Sequence, residues 1–211
     1  MSRNKSLFAL ALRTRKTGES NREAYFLTAE FGILRATVYG GPKSKLRAYV
    51  LPYHSGVLYL YHDGVRDSYK VTDFDVRCWR PGLSEVYERT ITAAALAETV
   101  LAGHGGGIWH EALALILPVL DTLEDAGAED AGVIFVYFLW KWTAIIGVRP
   151  ELNAIHNAHP EAARLLALLD KMPPEAVPGK KPDGTALVTA KGLCVQILTG
   201  AYGRRLASWS L

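Results

Sequence analysis

The chain has 211 residues, 49% of them hydrophobic and 21% charged, a balance that builds a packed core and excludes wholesale disorder. Two cysteines, Cys78 and Cys194, are too few for the disulfide framework of a small secreted domain. The net charge of +3 hides an asymmetry: residues 1–50 carry ten Lys/Arg against three Asp/Glu, a net +7, and the rest carries fourteen against eighteen, a net −4. A basic N-terminal end of this kind either grips a polyanion or is a solvated positive face, and charge alone does not separate the two.

In chain order, the first 78 residues read as strands. Leu7 to Leu12 is an apolar run, too brief for a signal peptide and followed at once by Arg13 and Arg15. Ala24 to Thr28 is a second run. Ile33 to Tyr39 is a third, with Leu34, Ala36 and Val38 on one face and Arg35 and Thr37 on the other, the period-2 pattern of a half-buried strand. Val57 to His62 meets the next run across Asp63-Gly64, which predicts a tight hairpin with positive φ at both turn residues. A last strand is expected from Tyr69 to Cys78. Five short strands with no long helix among them predict a small closed barrel, an OB-fold first and an SH3-like barrel second.

Arg80-Pro81-Gly82 marks a boundary, giving an N-terminal domain over residues 1–79 and an all-α domain over 80–211, an α+β two-domain chain. Ser84 is the expected N-cap of a helix reaching Ala102, stopped by His104-Gly-Gly-Gly107. Leu113, Ile116, Leu117, Leu120 and Leu123 form an apolar stripe at 3.6-residue spacing. Val133 to Ile146 is the most apolar run, fourteen residues interrupted by Lys141. It falls short of the roughly 20 residues of a membrane span, so a buried helix and a cytoplasmic protein are expected. Pro160 opens a further helix with Leu165, Leu166, Leu168 and Leu169 turned inward. Met172 to Gly184 reads as a mobile loop, and Ala186 to Leu206 as a final helix.

Motifs for catalysis fail on context. His104-Gly105-Gly106-Gly107 has the lettering of an esterase oxyanion loop but no nucleophile elbow accompanies it. Gly40-Gly41-Pro42-Lys43-Ser44 lacks the spacing of a phosphate loop, and Pro42 removes one N–H from the cradle. His156-x-x-His159, with no cysteine nearby, is a weak metal signal. Neither an enzyme nor a cofactor is expected. What remains is a set of basic segments that mix Lys/Arg with hydroxyl and backbone donors, a combination suited to phosphate. The residues expected to bind nucleic acid are Arg13, Arg15, Lys16, Arg22, Arg35, Lys43, Lys45 and Arg47. Tyr25, Tyr39, Tyr49, Tyr53, Tyr59 and Tyr61 offer stacking faces for unpaired bases, although packing inside a barrel accounts for most tyrosines.

The run Ala9 to Ser20, then Leu27 to Ala36, then Gly40 to Arg47, resembles the opening of the RecO family of bacterial recombination mediators. Phe138 to Leu152 is similar to that family's helix ending in a hydrophobic-Gly-x-x-Pro-x-Leu signature. The resemblance implies an N-terminal OB-fold and a C-terminal helical domain. It implies binding of single- and double-stranded DNA, annealing of complementary strands, partnership with RecR, and contact with the acidic C-terminal tail of single-strand-binding protein so that RecA loads on coated DNA. For that tail, Trp140, Lys141, Trp142 and Arg149 are the expected contacts. Many members carry a four-cysteine zinc site, whose first pair falls near Ile155 and Ala158 and whose second falls at Cys194 and near Ile197. Three of these positions cannot ligate zinc, so no metal is expected. Two other readings of the residues are an RNA-binding barrel and a structural adaptor whose basic face is incidental.

Overall fold

The computed structural model describes residues 4–40, 44–103 and 108–210. The chain divides into two compact units, Met1–Arg80 and Pro81–Leu211. In the first, five strands close a barrel: β1 (Asn4–Thr17), β2 (Asn21–Thr28), β3 (Gly32–Val38), β4 (Ser55–Asp63) and β5 (Ser68–Cys78), in the order β1-β2-β3-β5-β4 with β4 returning to β1. All neighbours are antiparallel except β3 and β5, whose parallel seam pairs Ala36 with Tyr69 and Thr37 with Lys70. A short helix, α1 (Lys45–Tyr49), lies between β3 and β4. This is the OB-fold arrangement.

Inward side chains fill the barrel: Leu7, Ala9, Ala11, Ala24, Phe26, Leu34, Ala36, Val38, Leu58, Leu60, Val71 and Phe74. Val50 joins them, and Leu46 of α1 packs against the same cluster. Small residues where strands approach and large ones between them suit so narrow an interior. β1, with 14 residues, is more than twice the length of the expected Leu7–Leu12 run, and a bulge between Ala11 and Arg13 resets its register against β2. The bulge lets one strand serve two neighbours with different demands. Gly56 on β4 is obligatory in a further way. A Cβ there would lie 2.0 Å from the Asp75 carbonyl oxygen of β5.

The β4–β5 turn departs from expectation. Asp63 is still paired, opposite Ser68, so the loop has four residues rather than two. The Asp63 carboxylate accepts from the backbone N–H of Val65 and Arg66, and positive φ falls on Asp67, at 44°. Side-chain capping by Asp63 replaces the tight primed turn.

The second unit contains α2 (Tyr87–Ala102), α3 (Trp109–Asp125), α4 (Ala131–Ile145), α5 (Leu152–Ala158), α6 (Pro160–Asp170) and α7 (Gly184–Tyr202). α4 is apolar all round and buried along nearly its whole length, as a central helix must be. α2, α3, α6 and α7 pack on it. Ser84 does not cap α2. Its hydroxyl donates to Pro81 O and closes a 3₁₀ turn over Pro81–Ser84, and the helix begins at Tyr87. In α6 Leu165, Leu166 and Leu169 are buried, but Leu168 is half exposed, because the apolar face takes only three of the four. α7 begins two residues early, at the Asp183 cap, and stops at Tyr202, where Gly203 takes a left-handed φ of 67°. Within 172–184 a 3₁₀ turn spans Pro174–Ala176 and Val177 is fully buried. His104-Gly105-Gly106-Gly107 lies outside the described residues.

Candidate nucleic-acid interface

The strand register sorts the basic side chains. Arg13 pairs with Tyr25, and Tyr25 with Arg35, so these three form one row across the outer wall of β1, β2 and β3. Two residues along lies the next outward row, Arg15, Glu23 and Thr37. It continues across the parallel seam to Lys70 and Tyr61. An outer face on strands 2 and 3, flanked by the β1–β2 and β4–β5 loops, is where OB-folds hold oligonucleotides.

Glu23 is the hub of the wall. Its carboxylate accepts from Arg15 Nε at 2.5 Å and from the Tyr25 hydroxyl at 2.9 Å, and Arg35 Nε lies 3.4 Å away. Burial pushes its pKa up. The hydrogen bonds from Tyr25 and Arg15, and the charges of Arg15 and Arg35, outweigh that and hold it below the usual value. Exposure is unequal: the Arg15 and Arg35 side chains are 53% and 66% exposed and Glu23 only 14%. The carboxylate thus sits beneath two cations that face solvent. Exposed ion pairs are worth about 0–1 kcal/mol, so the guanidiniums exchange Glu23 for phosphate at small cost. Arg13 adds a third cation with no ion-pair partner among the described residues.

The remaining candidates sit elsewhere on the barrel. Lys16 pairs with Arg22, and Arg22 with the buried Val38. Their row has the inward parity and emerges only at the barrel's end, beside α1. There the Arg22 guanidinium donates to the Arg47 carbonyl at 3.4 Å, with Lys45 exposed on α1. The eight candidates therefore form no single row. Arg13, Arg15 and Arg35 line the wall, Lys16, Arg22, Lys45 and Arg47 gather at the end, and Lys43 lies outside the described residues.

Lys70 is a wall residue that sequence reasoning missed. Its ammonium lies 5.8 Å from the ring centres of both Tyr39 and Tyr61, with Asp63 at 3.5 Å. Tyr39 is 47% exposed. A cation among open aromatic faces suits a stacked base beside its phosphate. The other tyrosines differ in use. Tyr25 is tied to Glu23, Tyr49 packs on Trp79, Tyr53 is partly buried with a left-handed φ of 70°, and Tyr59 is exposed on β4.

The residues expected to meet a partner are occupied within the helical unit. Trp140 and Trp142 are fully buried, so neither ring is available at the surface. Trp142 Nε1 donates to the Tyr202 hydroxyl, which donates to Thr99 O, tying α4 to α7 and α2. Arg149 lies over the Trp140 ring at 4.5 Å and donates to the Trp140 carbonyl and to Asp170. Lys141 also donates to Asp170, at its backbone oxygen. The apolarity that singled out this helix in the sequence belongs to the core. Of the zinc-site positions, Ile155 is buried and Cys194 is fully buried, its thiol pushed up to about 12 by burial. Such a thiol stays protonated at neutral pH. His156 and His159 are exposed.

No helix among the described residues is long and apolar enough to cross a membrane. Comparison with curated proteins finds no match. Residues 1–77 match the family described as "Recombination protein O N terminal", a span that ends at the penultimate residue of β5 and so coincides with the barrel. Residues 1–77 are thus similar to the N-terminal domain of the RecO family of DNA repair and recombination proteins.

Proposed function

We propose that the chain is a recombination mediator that acts without catalysis: it binds single- and double-stranded DNA, anneals complementary strands and helps load RecA on DNA coated by single-strand-binding protein, working with RecR. The observation that carries this reading is the outer wall of the barrel, where Arg15 and Arg35 face solvent above a covered Glu23. Cations so placed neutralise phosphates and release condensed counterions, and affinity then falls steeply with salt. Two strands whose phosphates are both neutralised repel each other less and pair faster. Backbone neutralisation reads no sequence, as annealing of arbitrary strands requires. The end cluster around α1 gives a second contact for the same backbone or for the opposing strand.

The test is an annealing assay with complementary labelled oligonucleotides, bare and coated with single-strand-binding protein. Acceleration of both supports the proposal. Binding without acceleration reduces the chain to a DNA-binding protein, and preference for RNA oligomers in competition transfers the wall to RNA. Replacing Lys43, Lys45 and Arg47 together with Ala is expected to weaken DNA binding several-fold and flatten its salt slope. An unchanged slope removes that segment from the interface.

A further inference from the structure

Trp79, the residue that follows β5, is 45% exposed, whereas Trp140, Trp142 and Trp209 are buried. Its ring is nonetheless held. It meets Tyr49 with centroids 5.6 Å apart and planes at 79°, and it meets the buried His54 at 4.9 Å and 67°. The backbone next to it is fixed as well. Arg80 takes a left-handed φ of 49°, a conformation that a residue other than glycine keeps only where its surroundings impose it. Its buried guanidinium donates to Tyr53 O and Ser55 Oγ. Both ring contacts of Trp79 are steeply tilted, so neither neighbour lies flat on the indole. A broad apolar ring is thus positioned in advance at the surface, with area left for a planar ligand.

The charge beside this ring is positive. Tyr49 ends α1, and the exposed Lys45 lies four residues before it, on the same face of the helix. Arg47 is on the same helix, and Arg22 donates to its carbonyl at 3.4 Å. Among the described residues no ion pair holds Lys45, Arg47 or Arg22. The nearest carboxylate on β5, Asp75, is paired with Arg77 at 2.7 Å. Cations without counter-charges next to an open indole fit a ligand that joins a negative backbone to flat apolar groups. These cations belong to the end cluster read above as phosphate contacts, so a strand that brings its phosphates there brings its bases to Trp79.

We propose that Trp79, with Tyr49 and Lys45, forms a stacking site for an unpaired nucleobase beside α1. It is distinct from the group of Tyr39, Lys70 and Tyr61, since Lys70 lies at the start of β5 and Trp79 after its end. One base of a single strand lies on the indole, and the phosphates next to it meet Lys45 and Arg47. Bases inside a duplex are paired and covered by their neighbours, so they do not reach the ring. The site therefore selects single strands at an end where charge alone is indifferent to strandedness. The inference rests on the DNA-binding reading and adds to it which form of DNA this end takes.

The experiment uses the full chain with a labelled single-stranded oligothymidylate, an abasic oligomer of the same length, and a duplex. Anisotropy is followed at several salt concentrations, and tryptophan fluorescence is read in parallel. Oligothymidylate is expected to quench the wild-type fluorescence saturably. Trp79→Phe is expected to remove most of that quenching and to keep affinity within about threefold, since a phenyl ring still stacks. Trp79→Ala is expected to weaken oligothymidylate binding about fivefold or more. Its salt slope stays unchanged, because no phosphate contact is lost, and its binding of the abasic oligomer and the duplex stays within about twofold. If Trp79→Ala weakens all three ligands alike, Trp79→Phe decides, and quenching that persists in it overturns the site. A Trp79→Ala variant that binds oligothymidylate as wild type does overturns the site alone: the ring is then left to a protein partner and the mediator reading stands. Wild-type protein that binds neither single strands nor duplex overturns the mediator reading and the site with it.

Discussion

At the scale of single residues, Glu23 decides how the basic wall behaves. Its carboxylate stays charged at neutral pH, because the hydrogen bonds from Tyr25 and Arg15 and the two guanidinium charges outweigh the effect of burial. It holds Arg15 and Arg35 in adjacent positions and also competes with phosphate for them. Order is gained at the expense of affinity. Glu23→Gln keeps an acceptor for Tyr25 and Arg15 and removes the competing charge. The variant is expected to bind single-stranded DNA roughly threefold or more tightly, with a steeper dependence on salt. Anisotropy titrations at several salt concentrations measure both. A variant that binds more weakly would show that Glu23 serves mainly to position the arginines.

At the scale of elements, the connection from α1 to β4 is tied to the segment that follows β5. Tyr53 in that connection and Arg80 after β5 hold left-handed backbone, at φ 70° and φ 49°, and the Arg80 guanidinium donates to Tyr53 O and Ser55 Oγ. His54 is buried, its Nδ1–H donating to Tyr49 O at 2.8 Å and its ring against Trp79. Burial lowers its pKa most. The Tyr49 carbonyl favours the proton and the Arg80 charge opposes it, leaving the folded value below 6.5. The unfolded chain therefore takes up this proton near pH 6.5 and the folded chain does not. Stability is full above pH 6.5 and falls as pH drops below it, until the folded imidazole is itself protonated. Thermal unfolding between pH 7.5 and 5 is expected to show a larger loss for wild type than for His54→Asn, which keeps a donor for Tyr49 and does not titrate. Equal losses would assign the acid sensitivity to other groups. None of this was legible in the sequence, because φ and burial at Tyr53 and Arg80 depend on contacts 25 and 27 residues apart. What was legible were the elements with strong period: the alternation in β3, the 3.6-residue stripe of α3, and the Pro160 start of α6. The Asp63 turn and the start of α2 were misplaced because a short polar side chain caps a neighbouring turn as readily as the one it seems to announce.

At the scale of the whole molecule, the charge excess of residues 1–50 was visible at once, but its arrangement was not. Alternation along one strand says which side chains share a face of that strand. It does not say that β3 meets β5 in parallel, and so it hides that Lys70 extends the row begun by Arg15. Nor does it reveal that Lys16 and Arg22 leave the wall for the barrel's end. These two groups make separable contributions, since each phosphate contact adds roughly 0.7 to the salt slope on single strands and roughly 0.9 on duplex. Replacing Arg13, Arg15 and Arg35 with Ala is expected to lower the slope on single-stranded DNA by about 2. Because the wall also carries Tyr39 and Tyr61 beside Lys70, it should hold unpaired bases as well as phosphates. The loss in affinity should then be larger for single strands than for duplex. Replacing Lys16, Arg22, Lys45 and Arg47 removes charge without removing stacking, and should weaken both forms alike. If the first set affects duplex more than single strands, the wall is a backbone contact only and the tyrosines are barrel packing. If the second set changes nothing, the mediator holds both strands on one face, and annealing proceeds by exchange along the wall rather than by two strands meeting across the barrel.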